Sequence, residues 1–495
     1  MSEPEITKRV RFNLDANTNY EVSDSQHYEN ENGEERDKPW LKQDTKCWLL
    51  GMLFITLLCV VITYLGNARG WYAPSGFIHN ISVTSQERFL PEPEVDEPGV
   101  HGRTGQGRVS RWYYWKLPPD RVTVYTRLFV WVCYFSHQIF IWGVIYMAQA
   151  NKMPRYSHKL NIYNWLAFGG NIFFHLLHLL QTHVTYDALA QDVAITSSQG
   201  SAIMLLAYCS LIDYRDRGIL FGWPSRRKHR AISSQQPKLS DEPMYIVRKY
   251  HSYAFAWAAI YTFWYHPMEN TLGHILGFLH TWMILLQGSL MYTKFHLHKW
   301  WRFVLEAWVT LHGGVVAFQV GGSVVIWPMF LTGFLMMIGL TQIFTFNFWK
   351  KIRTRWRFVP LTLALLVAYG IYSIPDDKGR TIERMYQMMF IPMASFFTTI
   401  FSYAFFCVCL KLEKMLAKLF KPANHSRLYR TCKQAFCGHA AFAVLFGFVS
   451  AGILVEQIDI KLEVFVLMYF LSTLYSLGFV VFAMFMRNHI PLDIP

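Results

Sequence analysis

Charge is scarce in this chain. Only 16% of the 495 residues are charged, against about 25% in an average soluble domain. That shortage excludes a string of ordinary soluble domains, which length alone would favour. Acidic residues are the scarcer kind: 33 Asp and Glu face 47 Lys and Arg, for a net charge of +14. The basic excess does not imply a nucleic-acid partner. It is concentrated in a few loops between apolar runs, the pattern of topology determinants. A cleavable leader is also missing. The first 45 residues are polar, and the first apolar run is too long and too far in, so it is expected to act as an uncleaved signal anchor. Eight cysteines give no disulfide framework, since none falls in the long loop expected outside the membrane. Cys407-Val-Cys409 lies within an apolar helix and reads as packing. No internal repeat is legible.

Apolar length is what the chain has. Hydrophobic residues, 53% of the total, gather in runs of about 20, enough to cross a bilayer as helices. The reading is an all-α polytopic membrane bundle with twelve helices, with membrane lipids as its surroundings. The helices are expected at 47–66, 122–148, 159–184, 190–213, 248–266, 271–293, 299–320, 324–347, 358–374, 386–411, 438–456 and 461–486. Both termini are expected in the cytosol, because the basic connections 214–249, 294–302, 348–357 and 411–433 then all fall inside. The sequon Asn80-Ile81-Ser82 falls outside on the same scheme, making Asn80 a glycosylation candidate in the secretory pathway or plasma membrane. The chain thus divides into a disordered tail (1–45), an anchor helix (46–66) and an extracytoplasmic loop (67–121). A histidine-bearing bundle (122–357) and a supporting helical module (358–495) follow.

Histidine inside these runs carries the chemistry. Ionisable groups in hydrocarbon are costly, so an intramembrane cluster reads as a functional site. A rise of 1.5 Å per residue places His175 roughly 13 Å, His280 roughly 14 Å and His312 roughly 12 Å below the outer surface. His178 lies roughly 9 Å deep. Three helices thus bring imidazoles to nearly one depth. Helical phase puts Asn164, Asn171, His175 and His178 on one stripe, pairs His280 with Gln287 and His312 with Gln319, and lines up Asp192, Thr196 and Gln199. Gly273, Gly277, Gly313, Gly314, Gly321 and Gly322 would permit close helix approach nearby. His137 reads as a helix–helix hydrogen bond. His183, His266 and His274 lie near the interface. His296 and His298 belong to a basic and aromatic anchoring belt. Glu269, in the connection Tyr265 to Asn270, is placed to accept from an imidazole N–H.

Neutral imidazole ligates metals and haem iron alike. The first expectation is therefore a site for a transition metal ion or haem b held by His175, His178, His280 and His312, doing redox or oxygen chemistry. The chain has His175-x-x-His178 but no double-histidine boxes and no Cys-x-x-Cys-His. The membrane di-iron hydroxylases and desaturases therefore do not match. The second expectation is a secondary transporter or a proton or cation pathway, with Asp192, Gln199, His175, His280 and His312 along it. A third is lipid acyl transfer with one buried histidine as general base.

Overall fold

The computed structural model describes residues 42–69, 122–151, 156–193, 195–222, 241–320, 327–374 and 380–419. Ten long helices make up almost all of it: α1 (Gln43–Ala68), α2 (Val124–Ala150), α3 (Ile162–Val184), α4 (Ile195–Ile212), α6 (Asp241–Tyr265), α7 (Leu272–Ser289), α8 (Lys299–Val320), α9 (Trp327–Leu340), α10 (Val359–Ser373) and α11 (Phe390–Leu419). The single-turn α5 (Tyr214–Arg217) follows α4. There is no strand among the described residues, only an isolated bridge between Ser157 and Thr293.

Local chemistry sets the helix ends. Asn161 and Asn164 form a reciprocal capping box at the start of α3. Thr123 and Thr126 do the same for α2. Each box satisfies N–H groups that a helix start leaves orphaned. Pro267 bars continuation of α6, and Pro360 sits in the first turn of α10, where its missing N–H costs nothing.

Five helical stretches are long and apolar enough to cross a membrane: Gln43–Ala68, Val124–Ala150, Trp327–Thr345, Arg355–Ser373 and Ile382–Val408. The helices α3 and α7 are not among them, although their positions match the expected crossings. The reason is the polar load they bury: Asn164, Asn171, His175, His178 and Gln181 in α3, His274 and Thr281 in α7. The last two expected helices, the tail apart from 42–45, the loop at 67–121 with Asn80 apart from 67–69, and the Gly321-Gly322 pair lie outside the described residues.

Neighbours in the chain run antiparallel. At one end, here the upper, Arg69 donates to the His183 carbonyl, and Asn270 donates to Asn67. At the lower end Asp44 accepts from His158 and from the Phe295 N–H, and Asn164 donates to the Ser289 and Met291 carbonyls. The centre is α6 and α7. The former packs on α2, α4, α7 and α11, and the latter on α1, α3, α6 and α8. Their aromatic side chains Trp257, Phe263, Trp264, Phe278 and Trp282 form the middle of the core. Leu49, Leu53, Leu57, Val60 and Tyr64 are exposed along α1, and Leu128, Val132, Phe135 and Ile139 along α2. Apolar faces of that extent suit hydrocarbon rather than water.

Candidate functional site

The α3 stripe is buried as its phase predicts: Asn164, Asn171, His175 and His178 all face the bundle. Around it runs a hydrogen-bond chain with a fixed direction. The Trp264 indole N–H, a donor only, donates to His137 Nδ1 at 3.2 Å. Neutral His137 then carries its proton on Nε2 and donates to Asn171 Oδ1 at 2.9 Å. The Asn171 amide donates to Ser289 Oγ at 2.9 Å, and Ser289 donates to the Leu285 carbonyl at 2.9 Å. Every polar atom of the His137 ring is used. Its ring also stacks on Phe174, with centroids 4.3 Å apart. His137 is thus the helix–helix bond expected of it, joining α2, α3 and α6.

One turn along α3 the situation reverses. His175 donates from Nδ1 to the carbonyl of Asn171, leaving the Nε2 lone pair outside that bond. His178 is fully buried, yet neither ring nitrogen has a partner among the described residues. The His266 backbone passes close without a bond of normal geometry. Its surroundings are aromatic: Phe263 at 4.5 Å and Trp264 at 4.4 Å between ring centroids. Beside His175, at 5.2 Å, the Trp282 indole N–H is also buried without a partner among the described residues. Buried polar groups are nearly always satisfied, so this pocket of orphans requires an explanation.

His280 and His312 form a separate pair. Their rings lie 5.9 Å apart, and His280 Nε2 donates to the Leu305 carbonyl at 2.8 Å. Gly277 makes the approach possible, since a Cβ there would stand 2.7 Å from His312 Nε2. The one-depth convergence of His175, His280 and His312 is therefore not a meeting at one point. At 100° per residue, His280 and Trp282 point about 200° apart on α7. Trp282 faces α3 and His280 faces α8. Among the described residues no group of three or more His, Cys, Asp or Glu side chains is placed to hold a metal ion. His266 and His274 cap the upper end, 5.2 Å apart, and His274 is buried and bonded to Thr271 Oγ1.

Charge collects at both ends of the helices. At the upper end, Arg127 binds Asp187 and Asp192, and Trp131 donates to Asp192. Asp192 precedes α4 instead of lying on it, so it does not share that helix's phase. The side chains of Thr196, Gln199 and Gln319 lie outside what is described. Glu269 accepts from the Tyr186 hydroxyl. At the lower end, Asp213 binds Arg302 and Arg217 binds Glu306. Each partner stands four residues from its neighbour in the chain, and both numbers rise together, so the two segments meet in register running in the same direction. These ion pairs escaped the sequence reading because Asp213, Arg217 and Arg302 sit at helix ends, where charge reads as loop. The matched i,i+4 spacing was the available signal. Gln287 joins this end too, accepting from the Trp301 indole and donating to the His296 carbonyl. His296, in the α7–α8 connection, donates from Nδ1 to the Gln287 carbonyl. Burial, reinforced by His251 nearby, holds its imidazole down to about 4. The exposed Trp300 fits the anchoring belt.

No known protein family, curated protein or solved structure matches this chain.

Proposed function

We propose that this chain is an integral membrane protein that moves protons through a column of buried polar side chains. The supporting observation is the distribution of those groups along the helix axis. Arg127, Asp187, Asp192 and Glu269 occupy the upper end. His137, Asn171, His175 and His178 occupy the middle, with His280 and His312 beside them. Asn164, Gln287, Asp213, Arg217, Arg302 and Glu306 reach the lower end. A pathway needs polar groups at both halves, and the lower ion pairs supply the half that the sequence lacked. On this reading the chain crosses the membrane twelve times with both termini in the cytosol, and the upper end faces outward. His178 is the pivotal group: its two unpartnered nitrogens are free to take and give a proton.

The test is proton uptake into proteoliposomes under a potassium-clamped potential, read with an internal pH dye. Uptake faster than in protein-free vesicles, lost in His178→Leu and kept in a His298→Gln control, supports the reading. Uptake equal to protein-free vesicles overturns it.

A second reading is favoured by one contact. A ligating histidine commonly donates its other ring N–H to a backbone carbonyl, and His175 does so with Asn171. A haem or transition metal ion bound at His175 or His178 would give a dithionite-sensitive absorption band or stoichiometric metal in the purified protein. The absence of both would exclude it.

A further inference from the structure

We infer that the upper end of the bundle holds a binding site for a small alkali cation, built on Asp187 and Gln181. Asp187 Oδ1 accepts from Arg127 and from the Ala188 N–H, whereas its Oδ2 is buried with no hydrogen-bond partner among the described residues. Gln181 is fully buried, and its Nε2 donates to the Asp187 carbonyl at 2.8 Å. That bond fixes the amide's orientation, so the oxygen that lacks a partner is Oε1, beside the same aspartate. Two buried acceptors thus stand together without donors, and acceptors in that state demand a proton or a cation.

The surrounding charge favours a cation. Asp187 and Asp192 are two carboxylates on one guanidinium, Arg127. The formal excess of that group is one negative charge. His266, in the neighbouring connection, does not offset it: burial pushes its imidazole down to about 3, so it is neutral at physiological pH. Gln181 also lies in the last turn of the 23-residue α3, whose carbonyl end adds partial negative charge. Unwound backbone next to such a helix end is a known way to coordinate alkali ions in membrane carriers. Here the chain turns sharply at Tyr186, in the left-handed region at φ 51°. One free carboxylate oxygen and one amide oxygen are a donor set of low charge, suited to a monovalent ion rather than a divalent one.

This site rests on the transport reading for its purpose but not for its existence. The test is thermal unfolding of the purified full chain in detergent, titrated with sodium chloride or potassium chloride, with choline chloride keeping ionic strength constant. Saturable stabilisation by one alkali cation, with apparent affinity at least tenfold weaker in Asp187→Asn and in Gln181→Leu, is the expected result. The second variant keeps the Arg127 ion pairs, so it reports even where Asp187→Asn folds poorly. No saturable difference between alkali and choline salts, or an equal response in Gln181→Leu, overturns the site. Equal stabilisation by methylammonium chloride would overturn the alkali assignment in favour of an amine. Cation binding without proton uptake in proteoliposomes would sink the transport reading alone. Proton uptake without cation binding would sink this site alone.

Discussion

Two fully buried histidines should respond to the same substitution with opposite signs. His137→Leu removes the acceptor for the Trp264 indole and the donor to Asn171 Oδ1, and both partners are buried. Leaving a buried donor or acceptor unsatisfied costs about 1–3 kcal/mol. Interhelical hydrogen bonds in a membrane protein average only about 0.6 kcal/mol, because the unfolded reference also finds partners. Two orphans at once place the loss at about 2 kcal/mol. His178→Leu instead deletes two nitrogens that already lack partners and puts apolar atoms against Phe263 and Trp264. Relief of one to two orphaned groups predicts a gain of about 1 kcal/mol. The difference between the variants, about 3 kcal/mol, is large enough for unfolding by denaturing detergent in mixed micelles to resolve. If His178→Leu is destabilised as much as His137→Leu, His178 has partners, and its status as the pivotal group fails. If it is stabilised but inactive, the residue is kept for function against stability, a familiar trade-off.

Other outcomes follow from the same contacts. Glu306→Ala leaves Arg217, 1% exposed, without its carboxylate. It should cost about 3–5 kcal/mol, and Arg217→Leu in the same chain should recover most of that in an unfolding assay. Gly277→Val drives a side chain into the His312 ring, because a Cβ there would lie 2.7 Å from Nε2. Stability should fall by about 1–3 kcal/mol, and proton uptake should fall with it, whereas Gly288→Ala, with open space around its Cα, should change neither. His296 is neutral in the folded chain down to about pH 4, while the unfolded chain protonates it near 6.5. The unfolded state therefore binds more protons between those values, and stability falls as pH drops through that window. The slope is a fraction of about 1.4 kcal/mol per pH unit, because the ring is only half-buried. His296→Gln should flatten the unfolding curve between pH 6.5 and 4, although His251 and Arg302 beside it keep part of the dependence.

The helices were legible because burial in a membrane leaves a long apolar run, and phase on α3 was legible because a polar stripe has nowhere to face but inward. Asn164, Asn171, His175 and His178 illustrate both. What periodicity does not carry is the direction in which one helix presents its faces to two neighbours. His280 and Trp282 are two residues apart, and which of them meets α3 depends on the rotation of α7, fixed by Gly277, His312 and the Leu305 carbonyl. Depth from helical rise therefore brought three imidazoles to one level but not to one place. Charges at the ends were harder still. Asp192 is expected inside a helix, on a stripe with Thr196 and Gln199, yet it sits with Asp187 in the turn between α3 and α4, where Arg127 of another helix binds both.

Charge and neutral polarity are separated along the helices, and the separation bears on function. Full charges stand in pairs near the helix ends, where Arg127 and Arg302 retain some contact with the surface, at 14% and 20% side-chain exposure, while Arg217 and Glu306 are buried against each other. The middle holds imidazoles, amides and hydroxyls. An unpaired ion costs several kcal/mol in a low-dielectric interior, so a mid-bundle group must be neutral at rest. Among neutral side chains imidazole alone has an unperturbed pKa near physiological pH and so can accept a proton in passing. A protein needing only helix-to-helix bonds would satisfy both nitrogens of each ring, as it does at His137. Two turns along α3 from the Asn171 that satisfies that ring, among aromatic side chains, His178 is left with neither nitrogen bonded among the described residues. Packing alone would replace it with leucine. Retaining an imidazole there is consistent with a transient occupant, a proton or the ligand that brings one.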